Sequence, residues 1–171
     1  AYVTDSEEGL ILVELSTLMD GEPRNNFLKR ALTWDGGGAL RGAKHMVLGG
    51  YYGYVVTDDE MVVINIDNPL DPAVVTRLSL NKPHSVALQF RYLFVTDSDG
   101  FKVIDVTNPE KPVLTEDNLI PLEQAQRIHI ARTYAYVAAG SEGLAIVNIT
   151  KPERMSLHTL FDRGIVDARD V

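Results

Sequence analysis

The sequence predicts an all-β fold of four-stranded antiparallel sheets, set side by side as the blades of a β-propeller. Three observations carry this expectation. First, the pattern of Tyr92 to Val113, YLFVTDSDGFKVIDVTNPEKPV, recurs along the chain and places Val3, Val56, Val95 and Val137 in one column. The copies lie about 40 residues apart, with one longer interval, a period that signals propellers or solenoids. Second, each copy has two short apolar runs flanking an acidic or glycine turn: TDSEEG at Thr4 to Gly9, TDDE at Thr57 to Glu60, TDSDG at Thr96 to Gly100 and AAGSEG at Ala138 to Gly143. Gly accepts positive φ and Asp hydrogen-bonds its own backbone, so these are hairpin connections. Third, proline corners follow at Asp67 to Pro72, Thr107 to Pro112 and Thr150 to Glu153. Proline cannot donate to a ladder and stops the strand before it.

The individual strands follow from this frame. The run after each turn is LILVEL (Leu10 to Leu15), MVVINI (Met61 to Ile66), FKVIDV (Phe101 to Val106) or LAIVNI (Leu144 to Ile149), apolar on both faces as a strand sandwiched between other sheets must be. One polar column interrupts these runs, at Glu14, Asn65, Asp105 and Asn148. More polar, alternating outer strands are expected at Asn26 to Thr33, Ala73 to Leu80, Val113 to Leu119 and Met155 to Phe161. A further apolar segment leads into each next unit, at His45 to Leu48, Ser85 to Phe90, Arg127 to Ala131 and Asp167 to Val171. Helical spacing is left open only at Glu123 to Arg127. The repeat units are thus 1–42, 43–81, 82–123 and 124–165, with the start of another blade at 166–171. The first unit lacks the proline pair and carries a corner loop near Thr17 to Arg24 and a glycine-rich loop, TWDGGGALRG, at Thr33 to Gly42.

The segments VTDSDGFKVIDVTNPEKPV, YVVTDDEMVVINIDNPLDPAVV and YVAAGSEGLAIVNITKPE resemble the LVIVD-type repeat of bacterial secreted and cell-surface propellers, with its YVAD, GL.IVDV and NP..P signature. The resemblance implies a propeller and an extracytoplasmic address, in the periplasm or at the cell surface. It implies no catalytic residues, because none belong to the repeat.

Composition excludes several classes. The chain has 171 residues, 45% of them hydrophobic, enough for a packed domain, and a formal net charge of -8. An acidic chain without clustered Lys and Arg is not a nucleic-acid binder. No apolar run approaches the roughly 18 residues of a membrane span. With no cysteine, the segment has no disulfide, thiolate metal site or covalent haem attachment. Ala1 already lies inside an expected strand, which suits a processed chain or a piece of a longer one. Two closures are open: Asp167 to Val171 completing the first blade as a four-bladed ring, or a segment of a larger propeller, with the remaining blades or a protein partner covering its open edges. The second is the expectation, because the last strand stops short of its sister copies.

Candidate chemistry concentrates on one face, where the strand nearest the axis enters beside the hairpin loops. Counting back two from the aligned Val47, Val86, Ile128 and Val171 gives a polar column of His45, His84, Gln126 and Arg169 at the channel mouth. The histidines suit a metal or haem ligand, or a general base, and equally suit a polar channel lining. The acids Asp58, Asp59, Asp97 and Asp99 lie further out; DSDG loosely matches the start of a Ca²⁺ loop, but the downstream glutamate is missing and turn chemistry explains these acids. The DGGG of Asp35 to Gly38 reads as a flexible loop rather than an anion site. Trp34, Tyr51 and Tyr52 are either a contact surface or a cap on the insertion. No serine has the setting of a nucleophile. The leading functional expectation is therefore a non-catalytic interaction scaffold. The alternatives are a module of a larger assembly, touching a haem or metal held by another region, and a site for carbohydrate or another small ligand on the loop face. No cofactor is expected within the segment itself, apart from Ca²⁺ at the acidic turns.

Overall fold

The computed structural model describes residues 1–115 and 118–171. Four antiparallel sheets follow one another along the chain. The first holds β1 (Tyr2–Asp5), β2 (Gly9–Glu14) and β3 (Lys29–Trp34). The second holds β4 (His45–Gly49), β5 (Tyr52–Val56), β6 (Glu60–Asn65) and β7 (Ala73–Ser79). In the third, β8 (Ser85–Gln89), β9 (Tyr92–Asp97) and β10 (Gly100–Asp105) are joined by β11 (Val113–Leu114) and β12 (Ile120–Pro121), both paired to β10. The fourth holds β13 (Ile128–Ala131), β14 (Tyr134–Ala138), β15 (Leu144–Asn148) and β16 (Ser156–Phe161). Inside each sheet the strands pair in chain order, so every unit is a meander, and the inner strands β4, β8 and β13 approach one another. The expected outer strand at Val113 to Leu119 includes residues 116 and 117, which lie outside the described residues.

The apolar runs of β6 and β10 alternate sides as a strand of period two must. Val62 and Ile64 pack with Leu10 and Leu40 of the first unit, whereas Met61 and Val63 pack with Leu93, Val95 and Ile104 of the third. On β10, Phe101 and Val103 turn instead to Val137, Ala145 and Val147 of the fourth. Three inter-sheet cores result, and each middle sheet is covered on both faces. At about 25 cal/mol per Å² of apolar area removed from water, this burial is the dominant stabilising contribution.

The polar column has a local cause. The side-chain oxygens of Asn65, Asp105 and Asn148 accept the backbone N–H of Asp67, Thr107 and Thr150, at 2.8, 2.7 and 2.9 Å. Asn68 and Asn108 then do the same for Leu70 and Glu110. Such Asx turns bend the chain out of the strand and into the proline corner.

Three segments singled out in the sequence are defined by the structure, the last of them against expectation. Glu123 to Arg127 forms no helix, because its backbone runs into the next inner strand, with Gln126 N–H bonded to Ala138 O. Beyond the exposed Gly37 and Gly38 the glycine-rich loop is anchored: Leu40, Ala39 and Ala43 are buried in the core between the first two sheets, and Leu40 N–H bonds Asp35 O at 2.9 Å. Asp167 to Val171 is not an inner strand. Ala168 exchanges backbone hydrogen bonds with Gly140 of the fourth unit, at 2.8 and 2.9 Å, so the segment is held beside the fourth sheet. Among the described residues the sheets do not close into a ring, and β1 pairs only with β2.

Candidate functional site

The hairpin turns and the linkers leading to the inner strands share one face. Lys44 Nζ pairs with Asp58 at 3.2 Å, and Asn81 Nδ2 donates to Asp99 Oδ1 at 2.6 Å. In the fourth unit Glu123 N–H donates to Glu142 at 2.7 Å and Ser141 N–H to Gln124 Oε1 at 3.1 Å. Linker residues next to the expected polar column, rather than the column itself, make these bonds to the turns.

Their register differs from the sequence alignment at one place. Backbone bonds run from Lys44 N to Val56 O (2.9 Å), His84 N to Thr96 O (2.8 Å) and Gln126 N to Ala138 O (2.7 Å). The column of His84 and Gln126 therefore contains Lys44, and His45 stands with Ser85 and Arg127. The two hairpins have the same length, Val56 pairing with Met61 and Thr96 with Phe101, so Val56 is the equivalent of Thr96 and the sequence column that sets Val56 beside Val95 is off by one residue. A slip of one residue sends a side chain to the other face of a strand.

His45 is tied into the neighbouring blade. Its Nδ1 accepts Val86 N–H at 3.2 Å and lies 3.3 Å from Ser85 Oγ. Since Nδ1 accepts a backbone N–H, the ring proton sits on Nε2. The Ser85–His45 pair has the composition of a nucleophile and its base, but Ser85 is wholly buried, so no substrate atom reaches its hydroxyl. Burial, then the Arg127 charge, holds the His45 pKa below its ordinary value. His84 is similarly depressed, by burial first and then by Lys44, while Asp97 acts in the opposite direction. Its Nδ1 is buried with no hydrogen-bond partner among the described residues.

The acids of the third turn already have a cation. Lys102 Nζ lies 2.6 Å from Asp97 Oδ2 and 2.5 Å from Asp99 Oδ2. Asp97 is fully buried, and its Oδ1 also accepts the N–H groups of Asp99 and Gly100. Lys102 thus supplies both carboxylates with a counter-charge. Among the described residues no three His, Asp or Glu side chains converge as metal ligands would. Lys102 escaped the sequence reading, although it left a signal: it is the one charge in a strand column otherwise made of Ile11, Val62 and Ala145. In the second turn, Asp58 and Asp59 line an open cleft with Gly38, Arg41 and Glu60.

The aromatic candidates separate. Trp34 packs on the core between the first and second sheets and Tyr52 on the core between the second and third, while Tyr51 stays 67% exposed. Gln126 and Arg169 do meet. They line a polar cleft of about 530 Å³ with Gln124, Ser141, Val166 and Asp167, in which Arg169 Nε pairs with Asp167 at 2.7 Å.

Meander sheets packed face to face, with inner strands converging and polar side chains spent on holding blades together, define a propeller-like repeat module. The LVIVD repeat model matches residues 41–79, 82–118 and 124–162, and the chain belongs to this family. No curated protein matches it. Among solved structures it is similar to a chain of an S. cerevisiae assembly, Dbp5 bound to Nup159, Gle1, IP6 and ADP, with a TM-score of 0.61 and 11% identity. The match covers 92% of this chain and 40% of that one, and at this identity it shows the fold alone.

Proposed function

We propose that this chain is a non-catalytic propeller module of an extracytoplasmic bacterial protein, in the periplasm or at the cell surface, and that its loop face binds a protein partner. One observation supports a scaffold over an enzyme: the groups capable of chemistry are engaged with one another. Ser85 is buried, His45 Nδ1 is occupied, and Asp97 and Asp99 are held by Lys102. Catalysis needs a nucleophile or base within reach of a bound substrate, whereas a platform needs rigid loops, which these bonds supply. The test places photo-crosslinking residues at Asp58, Ser98 and Ser141 on the loop face, and at Asp67 and Glu110 on the proline corners, in the producing cell. One protein adduct shared by the loop positions and absent from the corners is the expected result. Equal labelling from both sets refutes the reading.

The cleft at Gln126 and Arg169 favours a second reading, a small polar ligand such as a carbohydrate. Its guanidinium and carboxylate neutralise each other, leaving amide and hydroxyl groups that suit hydroxyl-rich ligands. Titration calorimetry with a panel of neutral oligosaccharides tests it; heats unchanged in Gln126→Ala and Arg169→Ala refute it.

A further inference from the structure

Strand direction alternates in every unit, so each sheet has two ends. The acidic turns and the linkers lie at the loop end, and the remaining connections lie at the corner end. Exposed apolar side chains gather at the corner end. Of the large ones exposed by 60% or more among the described residues, only Val166 lies elsewhere. Met19 and Phe27 stand in the β2–β3 loop, Leu70 in a proline corner, and Tyr51 and Phe90 on the tips between the first two strands of their units. Phe90 has a second peculiarity. It opens the two-residue turn between β8 and β9 at φ +54°, where the second unit has Gly50 at φ +61°. The left-handed region strains a bulky side chain, and glycine there would lose little contact within the chain, since Phe90 is 93% exposed. A strained aromatic that packs on almost nothing of its own chain points to a role outside it.

Two properties of this end select its partner. It is rigid and level: Ile66, Val106 and Ile149 donate their N–H groups to Tyr51, Arg91 and Thr133 O at 2.8, 2.8 and 2.9 Å, which locks each tip to the corner beside it. Gln89 Nε2 donates to Arg132 O at 2.8 Å and locks the third tip to the fourth. The apolar tips are therefore separate projections from one platform, a shape that meets a planar layer rather than a groove. Its charge is also opposite to that of the loop end. A cleft of about 260 Å³ at the fourth corner is lined by Lys151 and Arg154 with Asn148, Thr150 and Ser156. Acids outnumber bases in the loop-end clefts built on Asp58, Asp59 and Glu60 and on Asp99, Glu123 and Glu142. Glu153, between the two corner cations in sequence, is engaged by Arg91 and by the Tyr92 hydroxyl. Arg132 holds the place of Phe90 on the fourth tip, at φ +56°.

We propose that the corner end is a peripheral docking surface for an anionic lipid bilayer. Phe90 enters the interfacial layer, where aromatic rings are favoured, with Tyr51 beside it, and Arg132, Lys151 and Arg154 face the headgroup phosphates. Apolar burial and cation attraction together hold a protein on such a surface where either alone is marginal. The acid-lined loop end is repelled by the same headgroups and turns away from them. The proposal is independent of what the loop face binds.

The test is flotation of the full chain with vesicles of equal parts phosphatidylcholine and phosphatidylglycerol. The chain is expected to float with them at low salt, less at high salt, and less with phosphatidylcholine alone. Phe90→Gly lowers the partition coefficient roughly fivefold to tenfold. It keeps the wild-type melting temperature, because glycine suits the turn, so the lost binding is not lost folding. Lys151→Glu with Arg154→Glu removes the preference for phosphatidylglycerol at unchanged circular dichroism, and Asp59→Ala at the loop end leaves flotation as it was. A wild-type chain that stays unbound overturns the proposal, as does one that floats equally with both lipids. A Phe90→Gly chain that floats like wild type overturns it too, and so does a chain that ignores vesicles and captures a protein through Phe90.

Discussion

Replacing Lys102 by methionine tests the central claim about the acidic turns, that they are structural and internally neutralised. Among the described residues the ammonium is the only cation paired to Asp97, whose side chain is fully buried, and Lys102 itself is 13% exposed. Removing one partner of a buried pair costs about 3–5 kcal/mol, because the other charge is left uncompensated. Asp97 keeps backbone N–H donors from Asp99 at 2.9 Å, Gly100 at 3.3 Å and Asn81 at 3.4 Å, so the lower end of that range applies, about 3 kcal/mol. In a chain of this size that corresponds to a melting temperature lowered by roughly 6–12 °C. Urea unfolding followed by circular dichroism reads it as a lower midpoint at unchanged slope. The double variant Asp97→Asn with Lys102→Met removes both charges and loses less than Lys102→Met alone. Burial opposes the Lys102 charge, but the hydrogen bonds its ammonium donates to Asp97 and Asp99 outweigh it and raise its pKa. A Lys102→Met chain within about 0.5 kcal/mol of wild type, as for an exposed pair, refutes the reasoning.

Other perturbations follow from the same structure. Val103→Asp or Ile104→Asp puts a carboxylate where wild-type exposure is 1% or 0%, so the third blade unfolds and native circular dichroism is lost; wild-type-like melting contradicts the covered-sheet reading. Gly100→Ala is strained at φ +137° and drives a methyl into Ile120 O, whereas Gly37→Ala at φ +66° meets open space. The first therefore costs more than the roughly 1 kcal/mol of the second, and equal urea midpoints sink that comparison. His45 and His84 have folded pKa values below the ordinary 6.5, so on acidification the unfolded chain takes up their protons first. Stability is lost as pH falls from about 6.5 towards the depressed folded values, and the melting temperature drops between about pH 7 and pH 5. His45→Gln with His84→Gln flattens that slope; a slope unchanged in the double variant rules out these two groups.

What the sequence determined by itself was the repeat and its strands. Period, apolar alternation, Asx turns and proline corners are local properties, and they place β5, β6, β9, β10, β14 and β15 almost where they lie. The shared loop face was legible for the same reason, since strand direction alternates in any meander. Register was not. Val55, not Val56, is the equivalent of Val95, which puts His45 outside the column of His84 and Gln126, and no column of similar residues reveals such an offset, because valines stand at both neighbouring positions. The pairing of Lys102 with Asp97, the Ser85–His45 contact between blades and the capture of Ala168 by Gly140 were decided only by tertiary structure. Each depends on which sheet packs beside which, and on how far a segment reaches before its backbone groups find partners. That competition is settled by the summed burial and hydrogen bonding of the assembled sheets, not by any stretch of chain alone.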